Sequence, residues 1–145
     1  PNREQADLNT ILRNVYLLLE MNCRQRQIEM IWDLSEKPFM VDIDVQQMEQ
    51  ALINILKNAI EAIDQDGTIT IQTENDPKKI LRILDSGCGI PEEIQQQLFT
   101  PFFSSKKEGQ GIGLTLIREI LINHNCFFNL SSANGQTRFL IEFRE

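Results

Sequence analysis

The chain has 145 residues, 41% of them hydrophobic and 24% charged, with a net charge of −7. That is the size and balance of one compact domain rather than of a disordered segment. No apolar run reaches the roughly 18 residues a membrane span requires, so no direct membrane contact is expected, and the acidity argues against a broad nucleic-acid-binding surface.

Taken in chain order, Pro1 to Asp7 is polar and lacks the apolar core of a signal peptide. Leu8, Ile11, Leu12, Val15, Leu18 and Leu19 then recur at helical spacing, predicting an amphipathic helix to about Met21. Residues Ile28 to Leu34 alternate as a strand, and Pro38 breaks the chain before a short apolar piece, Phe39 to Ile43. Asp44 is a plausible cap for a second helix that runs to about Ile63 and stops at Asp64-Gln65-Asp66-Gly67. Thr68 to Thr73 and Lys79 to Leu84 read as a hairpin across Asn75-Asp76-Pro77. After a turn at Ser86 to Gly89, Pro91 opens a short helix, and Phe99 to Gly113 reads as irregular. A third long helix over about Leu114 to Ile122 precedes strands at Phe127 to Ser131 and Thr137 to Phe143. Hairpins with helices gathered on one side predict an α+β fold, a two-layer sandwich forming a single domain over residues 1–145.

The three cysteines, Cys23, Cys88 and Cys126, are widely spaced, with no CxxC pair or Cys/His cluster. Reduced thiols in a cytoplasmic protein fit this better than zinc or a disulfide framework.

The second helix carries an unusual stripe. On a wheel advancing about 100° per residue, Gln47, Gln50, Asn58 and Glu61 fall within about 40° of Asn54, opposite Leu52, Ile55, Leu56, Ala59 and Ile63. A solvated face would explain the stripe as well. Asparagine, however, is a middling helix former, and the pair at i and i+4 projects side by side, able to offer carbonyl oxygens to a metal or ligand. Magnesium takes few protein ligands and completes its shell with water and phosphate.

Two glycine-bearing segments add to this. Asp85-Ser86-Gly87-Cys88-Gly89 follows a strand: its glycines permit close approach of backbone to a flat ligand, and its acid can accept from an exocyclic amine. A simple turn fits the same residues. Gly109-Gln110-Gly111-Ile112-Gly113 precedes a helix, an anion-binding arrangement to which Lys106 and Lys107 can add charge. It is neither a Walker A loop nor a Rossmann turn, and a surface loop would also account for it.

In this order the segments resemble the histidine-kinase branch of the family that also holds DNA gyrase, heat-shock chaperone ATPases and MutL, and the resemblance covers nearly the whole chain. It rests on QQMEQALINILKNAIEAI, DSGCGIP, LFTPFFSSKK and GQGIGL. The ending NAIEA and the FFSSKK segment are most similar to the nitrogen-regulation and sporulation kinases. The resemblance implies a Bergerat-type mixed sheet with helices on one face and ATP under a mobile lid. Asn58 would then bind magnesium, Asp85 would recognise the adenine amine, and Gly87 and Gly89 would shape the base pocket. Gly109, Gly111 and Gly113 would wrap the phosphates, with Lys106 acting near the γ-phosphate; Asn54, Ile90, Phe102, Ile112, Leu114 and Thr137 would complete the nucleotide contacts. Gln110 stands where threonine is usual, the last glycine-rich segment is reduced to Asn134-Gly135-Gln136-Thr137, and Asn125 occupies a common glycine position.

Gyrase-like and chaperone members carry a water-activating glutamate one turn before the magnesium asparagine; here that position is Asn54, and an amide is no useful base at neutral pH. The implied reaction is therefore transfer of the γ-phosphoryl group of Mg-ATP to a histidine on a separate helical phosphoacceptor bundle, with little hydrolysis, and onward signalling to a cognate response regulator. His124, the single histidine, lacks an adjacent acid-rich acceptor motif and reads as structural. The alternatives are a non-catalytic nucleotide sensor and an anti-sigma-factor-type serine kinase, which would normally keep glutamate at position 54.

Overall fold

A computed structural model describes residues 2–87, 108–133 and 135–144, with backbone alone at 108–113 and 133. Strand β1 (Arg3–Asp7) leads into helix α1 (Leu8–Gln25), then β2 (Ile28–Asp33), β3 (Met40–Asp44) and helix α2 (Val45–Ile63). The hairpin β4 (Gly67–Glu74) and β5 (Lys79–Asp85) follows, then helix α3 (Glu108–Asn123) and the hairpin β6 (Cys126–Ala133) and β7 (Gln136–Phe143). The main sheet has the order β2-β4-β5-β7-β6, parallel between β2 and β4 and antiparallel elsewhere, and β1 with β3 forms a separate antiparallel ribbon.

Alternation decides the layering. In β4, β5 and β7 every second residue is buried, which gives Ile69, Ile71, Leu81, Ile83, Phe139 and Ile141 to one face. Against that face α1 lays Leu8, Ile11, Leu12, Val15 and Leu19; α2 adds Met48, Leu52, Ile55, Leu56 and Ala59; α3 adds Ile117, Ile120 and Leu121. The two-layer α+β reading therefore holds, mixed sheet included.

Local chemistry sets the helix boundaries. The Asp7 Oδ1 accepts from the backbone N–H of Asn9 at 3.0 Å and of Phe39 at 3.0 Å, capping α1 and tying it to the start of β3. Asp44 caps α2 as expected, its Oδ1 accepting from Gln47 N–H at 3.2 Å. At the far end Asp64 and Asp66 take the left-handed backbone (φ 68° and 58°) that lets the chain turn straight into β4. Asn125 does the same at φ 57°, so the turn survives without glycine.

Four expectations need correction. The polar opening segment is a strand, because pairing with β3 satisfies its backbone without an apolar pattern. Helix α1 runs on to Gln25. Leu18 does not belong to its core stripe: it is 67% exposed, beside Leu17 and Met21, since the stripe already fills with Val15 and Leu19. Helix α3 begins at Glu108 and takes in Gly109 to Gly113, read from sequence as irregular. Each of those glycines disfavours helix by about 0.8–1.0 kcal/mol relative to alanine. The apolar set further along, Ile117, Ile120 and Leu121, holds the helix on the core.

Candidate functional site

Helix α2 presents the polar stripe as its wheel implied. Leu52, Ile55, Leu56 and Ala59 are buried, while Gln50 and Glu61 are exposed and Asn54 and Asn58 are half-buried. The Asn54 Nδ2 donates to the Gln50 carbonyl at 3.0 Å, one turn back, which pins the amide and leaves its Oδ1 as an acceptor. Gln47, in the first turn, keeps a buried Oε1 without a partner among the described residues.

Asp85 ends β5, directly opposite Ile69 of β4 and Thr137 of β7. Its side chain is 5% exposed and accepts the Gly87 backbone N–H at 2.9 Å. Burial pushes its carboxyl up from 3.8 to about 6, partly opposed by that hydrogen bond. Thr137, 6% exposed, leaves its Oγ1 unpaired among the described residues. A buried hydroxyl without a partner is costly, and a ligand that supplied the missing group would remove that cost.

Gly87 closes this end of the site against α2. A Cβ there would lie 2.8 Å from Asp85 Oδ1 and 3.0 Å from both the carbonyl carbon and oxygen of Ala62. Only glycine lets the strand end lie directly on the last turn of α2, and Ala62 stands one turn beyond Asn58. The packing therefore sets Asp85 and Gly87 against the last turn of α2, with Thr137 across the β5–β7 pair from Asp85.

Of the remaining sequence candidates, Gly109, Gly111, Ile112 and Gly113 lie in the opening turns of α3, and Leu114 is half-buried against the core. Gly89, Ile90, Phe102 and Lys106 fall outside the described residues, as do most of the expected lid and the short helix after Pro91. Among the described residues, no group of three or more His, Cys, Asp or Glu side chains could hold a metal ion. A magnesium ion here would need amide, phosphate and water oxygens.

His124 is built into the scaffold. It is 5% exposed, its Nδ1 lies 2.7 Å from the Ile120 carbonyl, and its Nε2 accepts the Asp44 backbone N–H at 3.1 Å. It thus ties the end of α3 to the cap of α2. Sequence reading placed it at a helix end but missed this link, since the two positions lie 80 residues apart. Cys23 is buried and Cys126 half-buried, both free thiols, and burial pushes Cys126 up to about 12. No described helix is long and apolar enough to cross a membrane.

Comparison with known proteins bears on the family and the fold. The family model described as histidine kinase-, DNA gyrase B- and HSP90-like ATPase matches residues 43–145. The chain is 33% identical to the signal transduction histidine-protein kinase AtoS of Escherichia coli over 91% of its own length and 22% of that protein's. It is 34% identical to sporulation kinase C of Bacillus subtilis over 89% of its length and 31% of the relative's. The chain thus spans about a fifth to a third of these relatives. The nucleotide-free catalytic domain of histidine kinase ThkA superposes with a TM-score of 0.90 at 30% identity, covering 99% of this chain and 95% of that one. A longer ThkA chain, solved in complex with the response regulator protein TrrA, superposes at 0.85 with 29% identity, over 97% of this chain and 41% of that one. The amide stripe, the strand-end acid and the matched fold lead to one assignment: this chain belongs to the histidine kinase-, DNA gyrase B- and HSP90-like ATPase family, as an ATP-binding domain of the histidine-kinase type.

Proposed function

We propose that this chain is the phosphoryl-donor domain of a sensor histidine kinase, binding Mg-ATP and passing the γ-phosphoryl group to a histidine on a separate helical bundle. The observations that carry this reading are the pairing across β5–β7 of a buried acid with a hydroxyl that has no partner among the described residues, Asp85 and Thr137, and an amide stripe on α2 with no acid at position 54. Asp85 accepts from the adenine amine, Thr137 completes the base edge, Gly87 seats the strand end on α2 so that Asp85 holds its place, and Gly89 leaves room for the ring. Asn58, with Asn54 behind it, offers the carbonyl oxygen that holds magnesium; the ion neutralises phosphate charge when bound. Lys106, Gly109, Gly111 and Gly113 belong to the phosphate end, and Ile90, Phe102, Ile112 and Leu114 to the apolar contacts.

Water is left unactivated because the Asn54 amide cannot take a proton, so the donor waits for an external nucleophile. His124 does not serve as that nucleophile: both ring nitrogens are engaged inside the fold. The acceptor histidine then belongs to a phosphoacceptor domain, the downstream partner is a response regulator, and the site works in the cytoplasm. Residues 1–145 form one catalytic domain in this reading.

The test is phosphotransfer from γ-labelled ATP and magnesium to a separately supplied phosphoacceptor bundle of a related kinase. Label on the bundle's histidine, lost with Asn58→Ala, is expected. Rapid release of free phosphate with none on the bundle would refute the donor reading, and ATP binding without either reaction would favour a nucleotide sensor.

A further inference from the structure

The buried His124 joins the end of α3 to the start of α2. Its Nδ1 lies 2.7 Å from the Ile120 carbonyl, which can only accept, so that nitrogen carries the proton. The Nε2 is then bare and accepts the Asp44 backbone N–H at 3.1 Å. One neutral tautomer thus serves both helices. Asp44 is the point from which α2 starts, its carboxylate accepting from the Gln47 N–H in the first turn and from the Asn2 N–H at 3.1 Å.

Among the described residues α2 and α3 make the most extensive helix–helix contact, and with α3 ending where α2 begins they run antiparallel. At about 1.5 Å per residue, Asn54 and Asn58 stand about 15 and 21 Å along α2 from Asp44. Gly113 and Gly109 stand about 17 and 23 Å along α3 from His124. The two pairs match in height. Packing by Ile117, Ile120 and Leu121 holds α3 on the core, but apolar contact is non-directional, and glycine turns have no side chains to interlock with a neighbouring helix. The hydrogen bond at the far end is directional. We propose that His124 is a positioning residue for phosphoryl donation: through the Asp44 N–H it sets the height of Gly109–Gly113 against the Asn54–Asn58 pair. This role rests on the donor reading, in which the glycines hold the phosphates and Asn58 the magnesium; a misplacement of about 1 Å between such groups costs about 100-fold in rate.

Two amide substitutions separate the ring's two bonds. His124→Gln places an amide oxygen where Nε2 stands and keeps the tie to Asp44, whereas His124→Asn reaches only the Nδ1 position and keeps the bond within α3. Both lose the packing of the ring, so their melting temperatures should fall alike. With γ-labelled ATP, magnesium and the supplied bundle, His124→Asn should transfer at least ~10-fold more slowly at saturating ATP than His124→Gln. It should also bind ATP at least ~10-fold more weakly in calorimetric titration. His124→Phe, which fills the ring's place and makes neither bond, should behave like His124→Asn and replaces it should that variant not fold. Equal transfer and affinity in the glutamine and asparagine variants, or activities that only track melting temperature across the three, overturn the positioning role. A wild type that binds ATP but labels no bundle refutes the donor reading instead, and the affinity comparison still decides whether His124 sets the site. A wild type that binds no ATP overturns both.

Discussion

Gly87→Ala tests whether the strand end and the last turn of α2 form one wall of the nucleotide site. The added Cβ would sit 2.8 Å from Asp85 Oδ1 and 3.0 Å from the Ala62 carbonyl. One neighbour is helix backbone, and the other is a carboxylate already held by the Gly87 N–H, so neither gives way cheaply. Overpacking of this kind costs about 1–3 kcal/mol, and reduced freedom of the unfolded chain offsets about 0.4–1 kcal/mol of it. A net loss of about 1–2 kcal/mol lowers the melting temperature of a domain this long by about 3–6 °C. The carboxylate, pushed off its position, also loses the geometry needed to accept an amine. At about 1.5–3 kcal/mol for a charge-assisted hydrogen bond, ATP affinity should fall about 10- to 100-fold. Differential scanning calorimetry and calorimetric titration with ATP measure the two effects separately. Gly67→Ala is the control: its Cβ meets Ile63 Cγ2 and Ser86 Oγ, both at 2.6 Å and both side-chain atoms. That substitution should destabilise with a smaller loss of affinity. Unchanged melting and unchanged ATP affinity in Gly87→Ala would refute the packing reasoning outright.

Three other outcomes follow from the same geometry. Because the folded-state Asp85 carboxyl is raised from 3.8 to about 6, the folded chain holds that proton longer than the unfolded one as pH rises. Its unfavourable contribution is absent below about pH 4, grows between about 4 and 6 and is complete above; Asp85→Asn should gain stability relative to wild type across that window while losing ATP binding, and parallel denaturation curves at pH 4 and pH 7 would contradict this. Thr137→Val removes the unpaired Oγ1 at nearly constant shape, so it should leave stability unchanged or raise it while weakening ATP binding about 5- to 10-fold; equal affinity would take Thr137 out of the site. His124→Ala should cost about 2–4 kcal/mol in urea denaturation, because it opens a cavity and leaves the Asp44 N–H and Ile120 carbonyl short of a partner. Covalent phosphate on wild-type His124 after incubation with Mg-ATP would reverse that assignment.

What could be read from the sequence was whatever depends on local period. The α2 stripe, the cap at Asp44, the β4–β5 hairpin and the left-handed Asn125 all follow from residues within a few positions of one another. What escaped depends on pairing at a distance. Strand β1 has no apolar alternation, and its only warrant is the register with β3, Arg3 opposite Asp44. Leu18 carries the right residue type at a plausible helical position, and only the crowding of Val15 and Leu19 on the core decides that it points outward. The start of α3 was misplaced for the opposite reason: three glycines signal a loop locally, while the apolar residues beyond them anchor a helix.

The site shows the same division. Asp85 and Gly87 stand out in the sequence because acid, glycine and strand end are adjacent, but why the position must be glycine appears only when Ala62 is placed against it. Thr137 lies 52 residues from Asp85 and has no motif of its own in the chain; the β5–β7 register makes it the acid's neighbour. A hydroxyl buried there without a partner would be a fault in a site with no ligand, since a valine would pack as well and leave no polar atom unpaired. Its place opposite the buried Asp85 carboxyl has a reason if a polar ligand supplies the missing partner. On α2 the Asn54 amide is fixed by Gln50 and cannot take a proton, so the chemistry that this helix offers a ligand is positioning rather than proton removal.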